Sequence, residues 1–185
     1  MNRRRLLILA ALPLLGAAVQ APGWSLVRNE STLSMEVRAF GSAQRGRFED
    51  WRGDLTFDPA RPQATRADVV VQTASLRMST NAATQQARGR DFLDAAGHPT
   101  VRLQLRSLEP LGATRYTARA DVTIKGRTQS VAFPVDLRVE GGRALMTGSL
   151  SLDRTAFGIG TRGPLNGLIA RQVSVRVSLT ARRGD

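Results

Sequence analysis

The sequence contains no cysteine and only one histidine, and each shortage excludes a class of chemistry. Without cysteine the chain can form no disulfide, zinc–thiolate site, iron–sulfur cluster, thiol nucleophile or cysteine lipid anchor. The single histidine, His98, excludes a metal site built from several histidines. Acidic residues are scattered singly, so the sequence shows neither a calcium loop nor a carboxylate pair for acid–base catalysis. We therefore expect neither a metal nor a cofactor.

The N-terminal residues have the three-part pattern of a secretory signal peptide. Arg3-Arg4-Arg5 precedes an apolar run from Leu6 to Leu15, and small residues follow it. The run is too short for a membrane-spanning helix, which needs about 20 apolar residues. We predict a signal peptide over residues 1–18, cleaved after Ala18 or alternatively after Ala21. The protein is thus expected to be exported to the periplasm, by the general secretory or the twin-arginine route.

Lysine is almost absent, because Lys125 is the only lysine among 27 basic residues. With 15 acidic residues the formal net charge is +12, and loss of the three arginines in the signal peptide lowers it to about +9. Such an excess of arginine over lysine is typical of a biased genomic base composition and does not indicate selection for the chemistry of the guanidinium group. The predicted export also argues against a nucleic-acid partner, so we expect none.

Apolar residues recur at every second position in seven or eight segments of the mature chain. Successive side chains of a strand point to opposite faces, so each segment predicts a strand with one dry face. The clearest segments are 33–39, 67–71, 101–105, 120–124, 131–139, 146–152 and 173–179. Turn residues separate them, which predicts an antiparallel sheet, and closure into an eight-stranded barrel would cover its apolar face. One short helix is predicted over Thr80–Phe92.

The alternation does not by itself say which face of the barrel is inside. A membrane barrel would need strands of about 9–11 residues and aromatic girdles. Most runs here have five to seven residues, and the chain has one tyrosine. We therefore predict an all-β, single-domain barrel over residues 22–185, with an apolar interior and no membrane-spanning part.

Two motifs could suggest a cofactor site or catalysis, but a purely structural role explains each of them better. Gly158-Ile-Gly160-Thr-Arg-Gly163 matches a dinucleotide fingerprint, but Pro164 follows and no parallel strand and helix surround it. We interpret it as a loop between the last two strands. His98 stands beside Pro99 without a Gly-x-Ser-x-Gly elbow, so a turn histidine is the simpler interpretation.

A row of arginines is predicted on the outer face of the barrel. They are Arg102, Arg106, Arg119, Arg138 and Arg176. We expect them to form a solvated wall, although transient contact with an anionic membrane surface is an alternative role.

The predicted inward residues are rich in valine, alanine and glycine, and contain few aromatics. Small side chains leave volume inside an eight-stranded barrel, which can then hold one small ligand. A dry, uncharged cavity favours a hydrocarbon, because a polar ligand would lose its bonds to water without replacement.

Four sequence blocks resemble the YceI-like family. They are Gly46–Pro59 (GRFEDWRGDLTFDP), Arg90–Leu93 followed by His98-Pro99, Val122–Gly126 (VTIKG), and Asp153-Arg154 followed by Phe157–Ile159. The blocks occur in the family's order and span nearly the whole mature chain. The resemblance implies a lipocalin-like barrel with an elongated pocket for a polyisoprenoid or similar amphiphile, a periplasmic location, and no general catalytic activity.

We therefore predict a non-catalytic protein that binds, stores or transports a long hydrophobic amphiphile. The predicted wall contacts are Met35, Val37, Phe57, Val69, Val71, Leu103, Leu105, Val122, Ile124, Val135, Leu137, Leu150, Val175 and Val177. Phe48 and Trp51 serve either the pocket or the core. Arg90 and His98 are candidates for binding a polar head group at the mouth.

Two alternative functions remain open at this level. An enzyme acting on a hydrophobic substrate would need an inward polar residue, and only Thr73 and Ser75 at a strand end qualify. A barrel filled by its own side chains could instead bind another exported protein through its arginines. A homodimer that covers the pocket mouth is compatible with each function.

Overall fold

The computed structural model describes residues 23–58 and 60–184. The predicted signal peptide lies outside the described residues. The strands are β1 Trp24–Leu26, β2 Thr32–Ala39, β3 Ser42–Phe48, β4 Trp51–Thr56, β5 Arg66–Gln72, β6 Leu76–Met78, β7 Thr100–Pro110, β8 Arg115–Ile124, β9 Arg127–Glu140, β10 Arg143–Asp153 and β11 Ile169–Arg183. One α-helix, α1, spans Asn81–Arg88. Short 3₁₀ turns span Arg28–Glu30, Pro62–Ala64, Thr73–Ser75, Arg154–Phe157 and Pro164–Leu168.

All strand pairs in the described residues are antiparallel, and two bent strands bring the sheet round on itself. β3 continues into β4, and β5 continues into β6. Across the bend, the backbone N–H of Glu49 donates to Ser75 (3.3 Å) and that of Gln72 donates to Asp50 (2.9 Å). Counted as bent strands, these two join β2 and β7–β11 in an eight-membered ring. The predicted all-β antiparallel barrel class is confirmed.

β1 is the additional strand, and it pairs with β11 beyond the end of β2. On its other side it contacts β4, where Leu26 lies so close that a Cβ on Gly53 would stand 2.9 Å from its Cδ1 atom. Arg28, which follows β1, spans the remaining distance to the start of β4. Its Nε and Nη2 atoms donate to the carbonyls of Trp51 (3.2 Å) and Glu49 (2.5 Å). Its guanidinium also stacks 4.4 Å from the centre of the Trp51 ring.

The barrel has two unlike ends, which we call the base and the mouth. The base holds β1 and the connections before β5, β8 and β10. The mouth holds the β2–β3 turn, the segment with α1, the β8–β9 turn and residues 154–168 between β10 and β11. At the base, Trp24 and Phe57 pack edge to face with ring centres 5.2 Å apart, and Leu108 is buried beside them. The hydrophobic core therefore closes the base.

The helix is shorter than predicted, and its ends explain why. The Thr80 hydroxyl accepts a hydrogen bond from the backbone N–H of Ala83 (3.1 Å), which caps the N-terminus. At the other end Gly89 leaves helical geometry. Residues beyond it fold back in turns, so Phe92 belongs to the following loop.

The outer wall carries paired charges. Arg102 binds Asp68 on the neighbouring strand, and Arg106 binds Asp121 at 2.8 Å. Arg119, Arg138 and Arg176 also have carboxylate partners. Exposed pairs of this kind contribute little stability, because water and salt screen them. Their consequence is electrostatic, because the predicted arginine wall is largely neutralised.

Candidate lipid-binding cavity

The interior above the base is hollow. A cavity of about 570 Å³ extends from the level of Leu179 to the mouth. This volume falls within the range of about 300–1,000 Å³ that is common for small-molecule sites. Apolar side chains form nearly all of the wall, and the polar residues among the described lining are Gln44, Gln86 and Arg154. Such a wall favours a ligand that is mostly hydrocarbon.

The inward side chains of β2 and β11 are more exposed than those at the base. At the base, Leu108 and Val135 are only 1% and 3% exposed. At the level of the cavity, Met35, Val175 and Val177 also point inward but are half-buried. Each of these three borders empty space on one side. The inward residues of β2 and β11 therefore border the empty volume.

Thirteen of the eighteen predicted site residues line this cavity. They are Met35, Val37, Phe48, Trp51, Val69, Val71, Leu103, Leu105, Val122, Ile124, Leu150, Val175 and Val177. The structure places them together on one continuous surface. Their contact with a ligand stays a prediction.

Three predicted wall residues lie in the base instead. Phe57, Val135 and Leu137 point inward, as the alternation predicted, but they pack in the buried core around Trp24. Strand alternation gives the side of the sheet on which a residue lies and not its height along the barrel axis. These three residues therefore close the base and do not line the cavity.

Arg90 and His98 also lie off the cavity wall. Arg90 is exposed, and its backbone carbonyl accepts a hydrogen bond from Lys125 Nζ (3.1 Å). His98 Nε2 stands 3.8 Å from a carboxylate oxygen of Asp94, within the same loop. Both residues belong to the mouth segment, but neither borders the cavity.

Two parts of the wall escaped sequence reasoning, the helix and the loop before β11. Ala82, Ala83, Gln86 and Ala87 present one face of α1 to the cavity. Their spacing of one, three and four residues is the signal of a helical face, although the side chains are small. Leu165 lines the cavity from the loop, where no periodic pattern marked it.

The domain profile of the YceI-like family matches residues 24–181, most of the 185-residue chain. This chain belongs to the YceI-like family. It is similar to a UPF0312 protein of Pseudomonas savastanoi pv. phaseolicola, with 28% identity over 135 residues that cover 70% of each chain. A UPF0312 protein of Pseudomonas syringae pv. tomato is 30% identical over 125 residues, 64% of this chain and 65% of that protein.

Three solved structures share the fold of this YceI-like chain. BcnA of Burkholderia cenocepacia superposes with a TM-score of 0.79 at 24% identity, covering 84% of this chain and 99% of that chain. A YCEI protein of Campylobacter jejuni gives 0.69 at 16% identity, covering 76% and 85%. A polyisoprenoid binding domain from Saccharophagus degradans, implicated in plant cell wall breakdown, gives 0.70 at 15% identity, covering 88% and 99%. At these identities the likeness establishes the fold alone.

The sequence blocks typical of the family surround the cavity of this YceI-like chain. Phe48 and Trp51 line it from the bend between β3 and β4, so both are wall residues. Trp51 is also 4% exposed, and its indole Nε1 has no hydrogen-bond partner among the described residues. Phe157 and Ile159 line the cavity near the mouth.

Arg154 holds the mouth loop of this YceI-like chain to the barrel. It is 3% exposed, and burial lowers its pKa. Its Nη1 and Nη2 atoms donate to the carbonyls of Ile159 (2.8 Å), Gly160 (2.9 Å) and Ile169 (2.8 Å). Bonds to Ala170 and Asn166 complete the set. With its donors occupied, Arg154 positions the loop.

The glycines that match the dinucleotide fingerprint lie in this mouth loop. Gly158, Gly160 and Gly163 have φ values of 70°, 58° and 79°, in the left-handed region that favours glycine. A Cβ on Gly160 would also stand 2.9 Å from the Phe92 ring. The motif therefore lies in the loop between β10 and β11, which agrees with the interpretation from sequence.

No helix in the described residues is long and apolar enough to cross a membrane. Within the same residues, histidines and carboxylates form no group that could hold a metal ion.

Proposed function

We propose that this chain binds the hydrocarbon part of a long amphiphile, a polyisoprenoid lipid, inside its barrel. The observation that carries the proposal is the apolar cavity of about 570 Å³, which is closed at the base and bordered at the mouth by α1 and the β10–β11 loop. The S. degradans domain of the same fold is a polyisoprenoid binding domain, which supports this choice of ligand. Membership of the YceI-like family supports a binding role.

We propose further that the protein stores or carries this lipid in the periplasm and performs no reaction on it. The cavity wall offers two glutamine amides and a guanidinium whose donors bind backbone carbonyls. None of these groups is an ordinary general base or nucleophile at neutral pH. Detection of the protein in a periplasmic extract, with an N-terminus after Ala18 or Ala21, would support the location.

The decisive experiment is organic extraction of protein purified from its own host, followed by mass spectrometry. We expect one class of isoprenoid lipid in roughly molar proportion to the protein. Absence of lipid from folded, native-source protein would refute a carrier or storage role. This outcome is informative because a buried chain gains about 0.8 kcal/mol per methylene and should survive purification.

A matched pair of variants links the lipid to the cavity. Val122 lines the cavity and is 3% exposed, whereas its neighbour Thr123 lies on the other face of β8 and bonds Thr128. Val122→Arg should abolish loading, because the guanidinium would lose its hydration inside an apolar cavity. Thr123→Arg should leave loading unchanged. A folded Val122→Arg protein with normal lipid content would contradict the proposed site.

The two alternative functions make different predictions. An enzyme that used His98 would lose turnover in His98→Ala while retaining lipid. Thr73 and Ser75, the inward polar residues considered from sequence, lie outside the described cavity lining. A protein-interaction barrel filled by its own side chains is disfavoured by the open cavity.

A further inference from the structure

The mouth of the barrel carries exposed apolar side chains that the fold does not use. Phe40 is 59% exposed and Leu168 is 54% exposed. The backbone N–H of Phe40 donates to the Leu168 carbonyl (2.9 Å), so the β2–β3 turn and the β10–β11 loop present them side by side. Phe40 also lines the cavity. Phe40 and Leu168 thus form an apolar tip at the mouth, and Phe40 makes this tip continuous with the apolar wall of the cavity.

The backbone of Phe40 is in a strained conformation, in addition to the exposure of its side chain. Its φ is +54°, in a region that side chains with a Cβ rarely adopt. A large aromatic residue held in this conformation and exposed to water contributes little to folding. Strain combined with an exposed apolar side chain is a reason to look for a function.

Basic residues around the tip lack the carboxylate partners found on the wall. Arg38, Arg90, Arg127 and Arg162 are exposed. Among the described residues, no carboxylate lies within salt-bridge distance of any of the four. By contrast, the wall arginines predicted to approach lipid are paired, as Arg102 is with Asp68. Positive charge without a carboxylate partner is therefore available beside Phe40 and Leu168.

The segments that connect the strands differ in charge between the two ends of the barrel. The mouth segments contain Arg88, Arg90, Lys125, Arg154 and Arg162, against the carboxylates Asp91 and Asp94. At the base, the segments 27–31 and 57–65 contain two arginines and two carboxylates, while 111–114 and 141–142 contain neither. The connecting segments of the mouth thus carry a net positive charge, which attracts a negatively charged surface.

We propose that the mouth docks on a membrane surface that carries anionic head groups, with Phe40 and Leu168 inserted at the acyl boundary. Basic residues beside exposed apolar ones are the features by which proteins lie on anionic bilayers. Docking would join the cavity to the bilayer interior, so a lipid chain could pass between them without crossing water. The docking is inferred from the exposed residues of the mouth alone. Only the transfer of a lipid chain rests on the proposed function.

Vesicle sedimentation of the mature protein tests the docking. The probes are vesicles of phosphatidylcholine alone and vesicles with 30% phosphatidylglycerol. We expect binding to the anionic vesicles that weakens from 0.05 to 0.5 M salt, because each basic residue near the surface contributes about fivefold in affinity. No binding to the anionic vesicles, or equal binding to both kinds, would overturn the proposal.

Matched variants at the two ends locate the docking surface. Leu168→Ser and Arg162→Gln should each weaken vesicle binding at least fivefold. Leu111→Ser and Arg115→Gln alter an exposed leucine and an arginine at the base and should leave it unchanged. Equal losses at both ends would refute the assignment to the mouth.

Phe40→Trp gives a direct signal from a folded variant. Its tryptophan emission should shift to the blue on anionic vesicles and be quenched by brominated lipid chains, because tryptophan favours the membrane interface. An unchanged emission would contradict insertion of this turn.

Two further measurements separate the possible failures. Lipid-free Leu168→Ser should bind a 20-carbon isoprenoid alcohol in solution with wild-type affinity, since Leu168 lies outside the cavity lining. Loss of vesicle binding with this affinity intact therefore concerns docking alone. A mouth that pairs with a second copy would show concentration-dependent dimers that Leu168→Ser abolishes, without vesicle binding. This result would replace the membrane with a homodimer and overturn the proposal.

Discussion

Val175 offers a direct test of whether a lipid chain occupies the cavity. It lies on β11 opposite Met35 of β2 and Leu150 of β10, and all three line the cavity. Val175 is half-buried because its inner side borders empty space. Val175→Phe would add four carbon atoms to the side chain and direct them into this volume, with no change in charge.

The expected loss of affinity follows from the displaced hydrocarbon. If the added carbons exclude four methylenes of the ligand, the loss is about 3 kcal/mol at about 0.8 kcal/mol for each. This corresponds to about a 200-fold weaker affinity. The added ring grows into free space, so the cost of about 1–3 kcal/mol that overpacking a filled core brings should be absent.

The assay is calorimetric titration of lipid-free protein with a 20-carbon isoprenoid alcohol. Ser174→Phe is the control, because Ser174 precedes Val175 and faces outward beside Ser151 and Glu36. The control should bind as the wild type does, and both variants should keep the wild-type free energy of unfolding within about 1 kcal/mol. Wild-type affinity in folded Val175→Phe would refute the assignment of the chain to this cavity.

Three other predictions concern the loop, the reporter residue and pH. Arg154→Met should lower the free energy of unfolding by about 3 kcal/mol or more in urea titrations, because buried carbonyls lose their donors. Arg171→Met is the control and should change it much less, because Arg171 belongs to an exposed ion pair. A brominated ligand chain should quench the fluorescence of Trp51, which lines the cavity, more than that of Trp24 in the base; equal quenching would contradict this placement. Hydrogen bonds from Thr155 and Arg171 lower the pKa of Asp153 to about 2. Because its pKa is depressed on folding, this carboxylate stabilises the fold above about pH 4 and less as the pH falls towards 2; Asp153→Asn should flatten the urea midpoint across this window, and an unchanged acid profile would count against it.

Much of the barrel could be predicted because strand periodicity is a local property. Val175 and Leu137 both stand in alternating runs, and the structure places both on the inner face. They differ in height along the barrel, so that one borders the cavity and the other fills the base. Height depends on strand register and tilt, which pairing between distant segments sets.

Charged residues show the same limit. The arginines of the outer wall were recognisable from alternation, but their pairing required neighbouring strands to bring Asp68 beside Arg102. Arg154 follows Asp153 in a family block, yet its bonds reach carbonyls 5 to 16 residues away. No local pattern marks such a residue as the one that holds a loop.

The amino-acid pattern by itself determined an antiparallel, apolar-inside barrel, because alternation of side chains acts within each strand. Family resemblance added the class of ligand to be tested. Only the tertiary structure decided which inward residues border a cavity, how Arg154 holds the mouth loop, and which basic residues lack a carboxylate partner. These features depend on contacts between segments far apart in sequence, and chain closure rather than local periodicity brings those segments together.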